Sequence, residues 1–165
     1  MKNTVKNVLK NKRILVIEPD ERARDAIKLH LEQRGAVVHT AGLVEKIPTI
    51  IAGSNVSGLH FQIILVEVNL PDCYGFFALR KILDTLAGHK IPIFVMSHGF
   101  SSFAIRQMVR YRVMGYLRKP FHLKDLEDFL VDRVNFFAQQ IIEMEKRNSA
   151  LNPLVEASPI KIKAA

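Results

Sequence analysis

The residues in this chain that could do chemistry are few, and they recur at one kind of place. Glu18, Pro19 and Asp20 directly follow the apolar run Ile14-Leu15-Val16-Ile17, and Glu67 follows the run from Phe61 to Val66. Ser97 and His98 follow the run from Ile91 to Met96, and Lys119 follows Gly115 to Arg118. Three carboxylates, a hydroxyl and an ammonium are each tethered to the end of a short apolar segment. If the segment ends meet, acid, hydroxyl and amine groups converge at one place. Other chemistries lack their residues. There is no glycine-rich phosphate cradle, no serine elbow, no internal repeat, and no pair at metal-ligand spacing among His30, His39, His60, His89, His98 and His122. The single cysteine, Cys73, excludes an internal disulfide and any zinc site of several cysteines, and it suits a reducing cytosol.

These side chains must be positioned by the segments that carry them. Ile14–Ile17 is a continuous apolar run, the pattern of a strand buried on both faces. Pro19 and the neighbouring acids fit a loop entering a helix, because negative charge complements a helix N-terminus. Ala23, Ala26, Ile27, His30 and Leu31 then recur at helical spacing until Gly35. Ala36–Thr40 reads as a second strand. A weaker helix over Leu43–Ala52 contains Pro48, which is expected to kink or break it, and Gly53–Gly58 reads as a loop. Phe61–Val66 predicts a third strand, Asn69–Gly75 a loop, and Phe76–Leu86 a helix stopped by Gly88. Ile91–Met96 predicts a fourth strand, Ser102–Tyr111 a helix and Gly115–Arg118 a fifth strand, before a long last helix starting near His122. Five buried strands alternating with five helices predict an α/β fold with a five-stranded, doubly wound parallel sheet. In such sheets the functional crevice lies beyond the carboxyl ends of the strands, where every residue named above falls.

Composition limits the alternatives. The chain has 165 residues, 48% hydrophobic and 24% charged, which suits one folded domain and excludes wholesale disorder. Its apolar runs are too short to span a bilayer, and no apolar segment follows Lys2 and Lys6 as a secretory leader would require. The net charge of +8 sits mostly in the ends: Lys2, Lys6, Lys10, Lys12, Arg13, Lys161 and Lys163 have no acid among them. Residues 14–156 hold 17 bases against all 16 acids, whereas a nucleic-acid-binding domain usually carries its excess on the fold. No specific nucleic-acid partner is expected; a nucleic-acid binder led by the basic tails is a further alternative.

The order of these residues resembles the receiver domain of two-component response regulators. The resemblance covers roughly residues 12–133. It rests on Ile14–Ile17 with acids behind it, Phe61–Leu70 followed by Pro71 and Gly75, Ile93–Ser97, and above all Gly115-Tyr116-Leu117-Arg118-Lys119-Pro120-Phe121. It implies a flavodoxin-like fold, a cytoplasmic location, and phosphoryl transfer from a kinase histidine to an aspartate ending the third strand. Mg²⁺ held by paired acids after the first strand would assist, and a hydroxyl and a lysine would grip the phosphoryl oxygens. Carried over residue by residue, the match is partial. The acceptor position holds Glu67, one methylene longer than aspartate. The acid pair falls on Glu18 and Pro19, and proline cannot ligate a metal. Ser97 fits the hydroxyl position, His98 replaces a usually small residue, and Lys119 with Pro120 matches fully. Asp20 is either a partial substitute for the missing acid or a helix cap. The expectation is a degenerate pocket with no bound Mg²⁺ and no enzymatic activity, in which Glu67 pairs with Lys119. The alternative is a phospho-accepting regulator using Glu67, Glu18 and Asp20 with Mg²⁺.

Two surfaces stand apart from the pocket. Between Asp84 and Asp125 there is no acid, while Lys90, Arg106, Arg110, Arg112, Arg118, Lys119 and Lys124 supply bases. Arg106 and Arg110, four apart, share a helix face, and Tyr116 matches the family's aromatic switch position. The expected partner is a signalling protein with an acidic surface, a sensor kinase or a downstream effector; the competing reading is a solvated face. In the last helix Leu123, Leu130, Phe137 and Met144 recur every seven residues, with Val134 and Ile141 between them. Phe137, Ile141 and Met144 lie past the usual receiver end and suggest self-association or capture by a partner helix, the competing reading being a helix folded back on its own domain; a homodimer is expected through this helix or through the fourth helix and fifth strand. The expected divisions are a basic segment 1–12, a receiver-like domain 13–133, a helical extension 134–147 and a flexible tail 148–165.

Overall fold

The computed structural model describes residues 8–56, 58, 60–73, 76–86, 91–99, 102–111 and 113–156. Among them, strands and helices alternate as the apolar runs require: β1 (Arg13–Ile17), α1 (Glu21–Gln33), β2 (Val37–Ala41), α2 (Ile47–Val56), β3 (Ile63–Glu67), α3 (Phe77–Leu86), β4 (Ile93–Ser97), α4 (Ser102–Arg110), β5 (Gly115–Arg118) and α5 (Leu123–Glu156). The strands form one parallel sheet in the order β2-β1-β3-β4-β5. The chain reverses its direction of winding between β1 and β3, and a crevice opens there beyond the strand ends.

Each inner strand is apolar on both faces because both are covered. Leu15, Ile17, Ile64, Val66 and Val95 share one core with Ile47 and Ile51 of α2, Leu79 and Ile82 of α3, and Met108 of α4. The alternate residues Ile14, Val16, Leu65 and Phe94 are equally buried and point to the opposite face. There the ring of Phe94 meets Phe129 of α5 edge-on, with centroids 5.4 Å apart. Gly115 of β5 permits this packing: a Cβ on it would lie 3.0 Å from the Phe129 ring.

Several expectations change. Pro48 neither kinks nor breaks a helix; it stands in the first turn of α2, where its missing N–H has no intrahelical partner to lose. Gly53 to Val56, expected as loop, continue that helix. The edge strands β2 and β5 are only partly buried, each having one neighbour, so the reading of five fully buried strands holds for the inner three. Residues 148–156, expected in a flexible tail, extend α5 to Glu156. Pro153 removes one N–H, and Ala150 and Leu151 favour the helix through it. Residues 1–7 and 157–165 lie outside the described part. The chain divides into two compact units, Met1–Phe129 and Leu130–Ala165. Among the described residues no helix is long and apolar enough to cross a membrane.

Candidate functional site

The crevice brings two carboxylates and one ammonium together. Ile17 of β1 pairs with Val66 of β3, so Glu18 and Glu67 emerge side by side. Both residues are nearly closed to solvent, at 1% and 3% exposure. Ser97, the last residue of β4, pairs with Arg118, the last residue of β5, and the Lys119 N–H donates to the Ser97 carbonyl at 2.8 Å. That bond fixes the root of the Lys119 side chain. Its ammonium lies 3.1 Å from Glu67 Oε2 and also donates to Glu18 Oε2. The remaining oxygens are used in parallel fashion. Glu18 Oε1 accepts the Asp20 N–H at 3.3 Å, and Glu67 Oε1 accepts the Asn69 N–H at 3.1 Å. The expected Glu67–Lys119 pair is therefore present, and Glu18 is a second partner that sequence reasoning had not assigned.

The β1–α1 loop is held by its own polar groups. Asp20 is the N-cap of α1, its Oδ1 accepting the Ala23 N–H at 2.7 Å. One turn later, Arg24 Nη1 donates to the carbonyls of Glu18 at 2.8 Å and Pro19 at 3.2 Å. Gly42, just past β2, makes room for that guanidinium; a Cβ there would lie 2.9 Å from Nη1. Arg24 and Gly42 escaped sequence reasoning. The available signal was a base one helical turn after an N-cap beside two strand ends.

The crevice is a cavity of about 560 Å³ with Glu18, Pro19, Asp20, Glu67, Asn69, His98 and Lys119 at its polar end and Ala23, Ala26, Ile27, Pro120, Phe121 and Leu123 around it. His98 is exposed at its rim, whereas Ser97 is fully buried. The Ser97 hydroxyl has no hydrogen-bond partner among the described residues. The divalent cation that the resemblance implies would meet a changed set of donors here. Pro19 offers no side-chain oxygen, Asp20 Oδ1 caps α1, and Glu18 and Glu67 share one ammonium. Among the described residues no three His, Cys, Asp or Glu side chains are grouped to hold a metal.

The other expected surfaces are distributed as follows. Arg106, Arg110 and Arg118 are exposed, Tyr116 is half-exposed, and Arg112 lies outside the described residues. Ile105, Val109 and Met114 add exposed apolar area on α4 and before β5. On α5, Phe137 is half-buried and Met144 is 62% exposed; for Ile141 only the helical backbone is described.

Comparison with known proteins fits this geometry. The model of the response regulator receiver domain matches residues 14–131. The chain belongs to that family. The receiver is 34% identical over 118 residues to the cell cycle response regulators CtrA of Brucella ovis and Brucella abortus. The match covers 69% of this chain and 46% of each relative, so the chain spans under half the length of those proteins. Among solved structures, a two-component response regulator from Clostridium difficile superposes with a TM-score of 0.63 at 22% identity, covering 76% of this chain and 97% of its own. The Vibrio cholerae chemotaxis protein CheY4 gives 0.63 at 21% identity, covering 73% and 96%. At such identity the likeness speaks for the receiver fold, and the family match places the domain in two-component signalling.

Proposed function

We propose that this receiver signals by protein–protein contact without accepting a phosphoryl group. The observation that carries the reading is the Lys119 ammonium held by both Glu18 and Glu67. In the family's chemistry a cation and an aspartate would have to meet where one ammonium already bridges two carboxylates. Glu67 is longer than aspartate by one methylene, and misplacing an attacking oxygen by about 1 Å costs on the order of 100-fold in rate. Its single charge also differs from the roughly −1.5 to −2 of a phosphoryl group, so uncoupling from phosphorylation follows more directly than permanent activation.

The partner in this reading is a signalling protein with an acidic surface, a sensor kinase or a downstream effector. It would dock where Arg106, Arg110 and Arg118 rim the exposed Ile105, Val109 and Tyr116. A cytoplasmic setting suits the free, buried Cys73. The test is incubation of the full chain with a small phosphodonor and excess Mg²⁺, followed by intact mass measurement. No adduct is expected; a phosphoryl adduct mapped to Glu67 overturns the proposal.

A further inference from the structure

The run of α5 to Glu156 brings a repeat into register. From Val134 onward the residues Val134, Phe137, Ile141, Met144, Asn148, Leu151 and Val155 alternate in steps of three and four. In heptad terms Val134, Ile141, Asn148 and Val155 take position a, and Phe137, Met144 and Leu151 take position d. We propose that residues 134–156 form a parallel, two-stranded coiled coil with a second copy of this chain, the two Asn148 positions in register.

The composition of the repeat selects this occupant. β-Branched residues at a with Leu at d, as at Leu151, favour two strands, and a single Asn at a fixes register and strand number at some loss of stability. Charge agrees with the parallel direction. A parallel pairing sets Arg133 against Ala138, Gln140 against Glu145 and Arg147 against Asn152 of the other copy, with no like charges opposed. An antiparallel overlay that layers Val134 on Leu151 would set Arg133 against Arg147. The segment rises roughly 33 Å, so two copies bury on the order of 1,000 Å², the lower bound for a specific interface. Met144 is 62% exposed along this seam. Ile142, 49% exposed, falls at b, off the seam, and so serves as a control, whereas Phe136 meets the Phe137 ring edge-on. Nothing in the inference depends on the chemistry of the pocket.

Sedimentation of the full chain from about 1 to 200 μM is the test, with a reversible dimer of Kd on the order of 10 μM expected. Ile141→Asp or Met144→Asp should weaken it by at least about 100-fold, while Ile142→Ser should stay within about threefold. With Cys73→Ala removing the native thiol, Asn148→Cys should cross-link two chains under mild oxidation, which a parallel in-register pair allows and an antiparallel pair does not. A monomer throughout the range, a dimer indifferent to both aspartates, a trimer of the unaltered chain, or a dimer that fails to cross-link would each overturn the proposal.

Discussion

Removing the Lys119 ammonium would strand two carboxylates that are almost wholly out of water. Breaking a buried ion pair from one side costs about 3–5 kcal/mol, because the uncompensated charge remains. Lys119→Met should therefore lower the urea-unfolding free energy by about that much, and Glu67→Gln by only about 1–3 kcal/mol, since Lys119 would keep Glu18. Arg24 offers a second measurement. Its charged donor bonds to the Glu18 and Pro19 carbonyls are worth about 1.5–3 kcal/mol, so Arg24→Ala should cost that order. Gly42→Ala should cost less than Arg24→Ala, because the guanidinium is the free end of a flexible side chain and can shift, and almost nothing more once Arg24 is already alanine. Additive losses in that double-mutant cycle would show that the two residues act separately.

Between elements, the contact of α1 with the start of α5 is governed by one carboxylate. Glu127 accepts from Arg34 Nε at 2.9 Å, lies 3.1 Å from His30 Nε2, and has Lys124 Nζ at 3.5 Å. Burial alone would raise its carboxyl, but the Arg34 bond and charge, then His30 and Lys124, outweigh burial and hold it below the usual glutamate value. A carboxyl lowered in the folded state adds stability that is complete above its unfolded value and is lost as the pH falls through the folded one. Stability should thus decline as the pH drops below about 4.3, the ordinary glutamate value, and Glu127→Gln should flatten that decline while costing about 1–2 kcal/mol near neutrality. Urea titrations at a series of pH values would check both. The elements themselves were largely legible in the sequence. Runs such as Ile14–Ile17 have few alternatives to a buried strand, whereas Pro48 was over-read as a breaker because its cost depends on where in a helix it falls.

At the scale of the whole molecule, net charge says less than its placement. Residues 14–156 are nearly balanced, yet α4 and β5 present Arg106, Arg110 and Arg118 with no acid between Asp84 and Asp125. If an acidic partner docks there, the Arg106→Glu, Arg110→Glu double variant should lose it by about 100-fold in affinity, measured in a binding titration with the unaltered chain as reference. Unchanged affinity would leave those arginines as solvated surface. The candidate site was legible to a matching degree. Each pocket residue could be placed at a strand end from the sequence, but the Glu18–Lys119 bond and the Arg24–Gly42 approach could not, because they join residues far apart in the chain whose distance is set only once the sheet has formed.

An ammonium clasped by two glutamates is written in the gene and cannot be added or erased by an enzyme. On the proposed reading the domain keeps no record of recent kinase activity, so its influence would vary only through synthesis, destruction, or competition for whatever it touches. Abundance would then carry the message, and the time for which a signal persists would be set by the lifetime of the protein instead of the lifetime of an acyl phosphate.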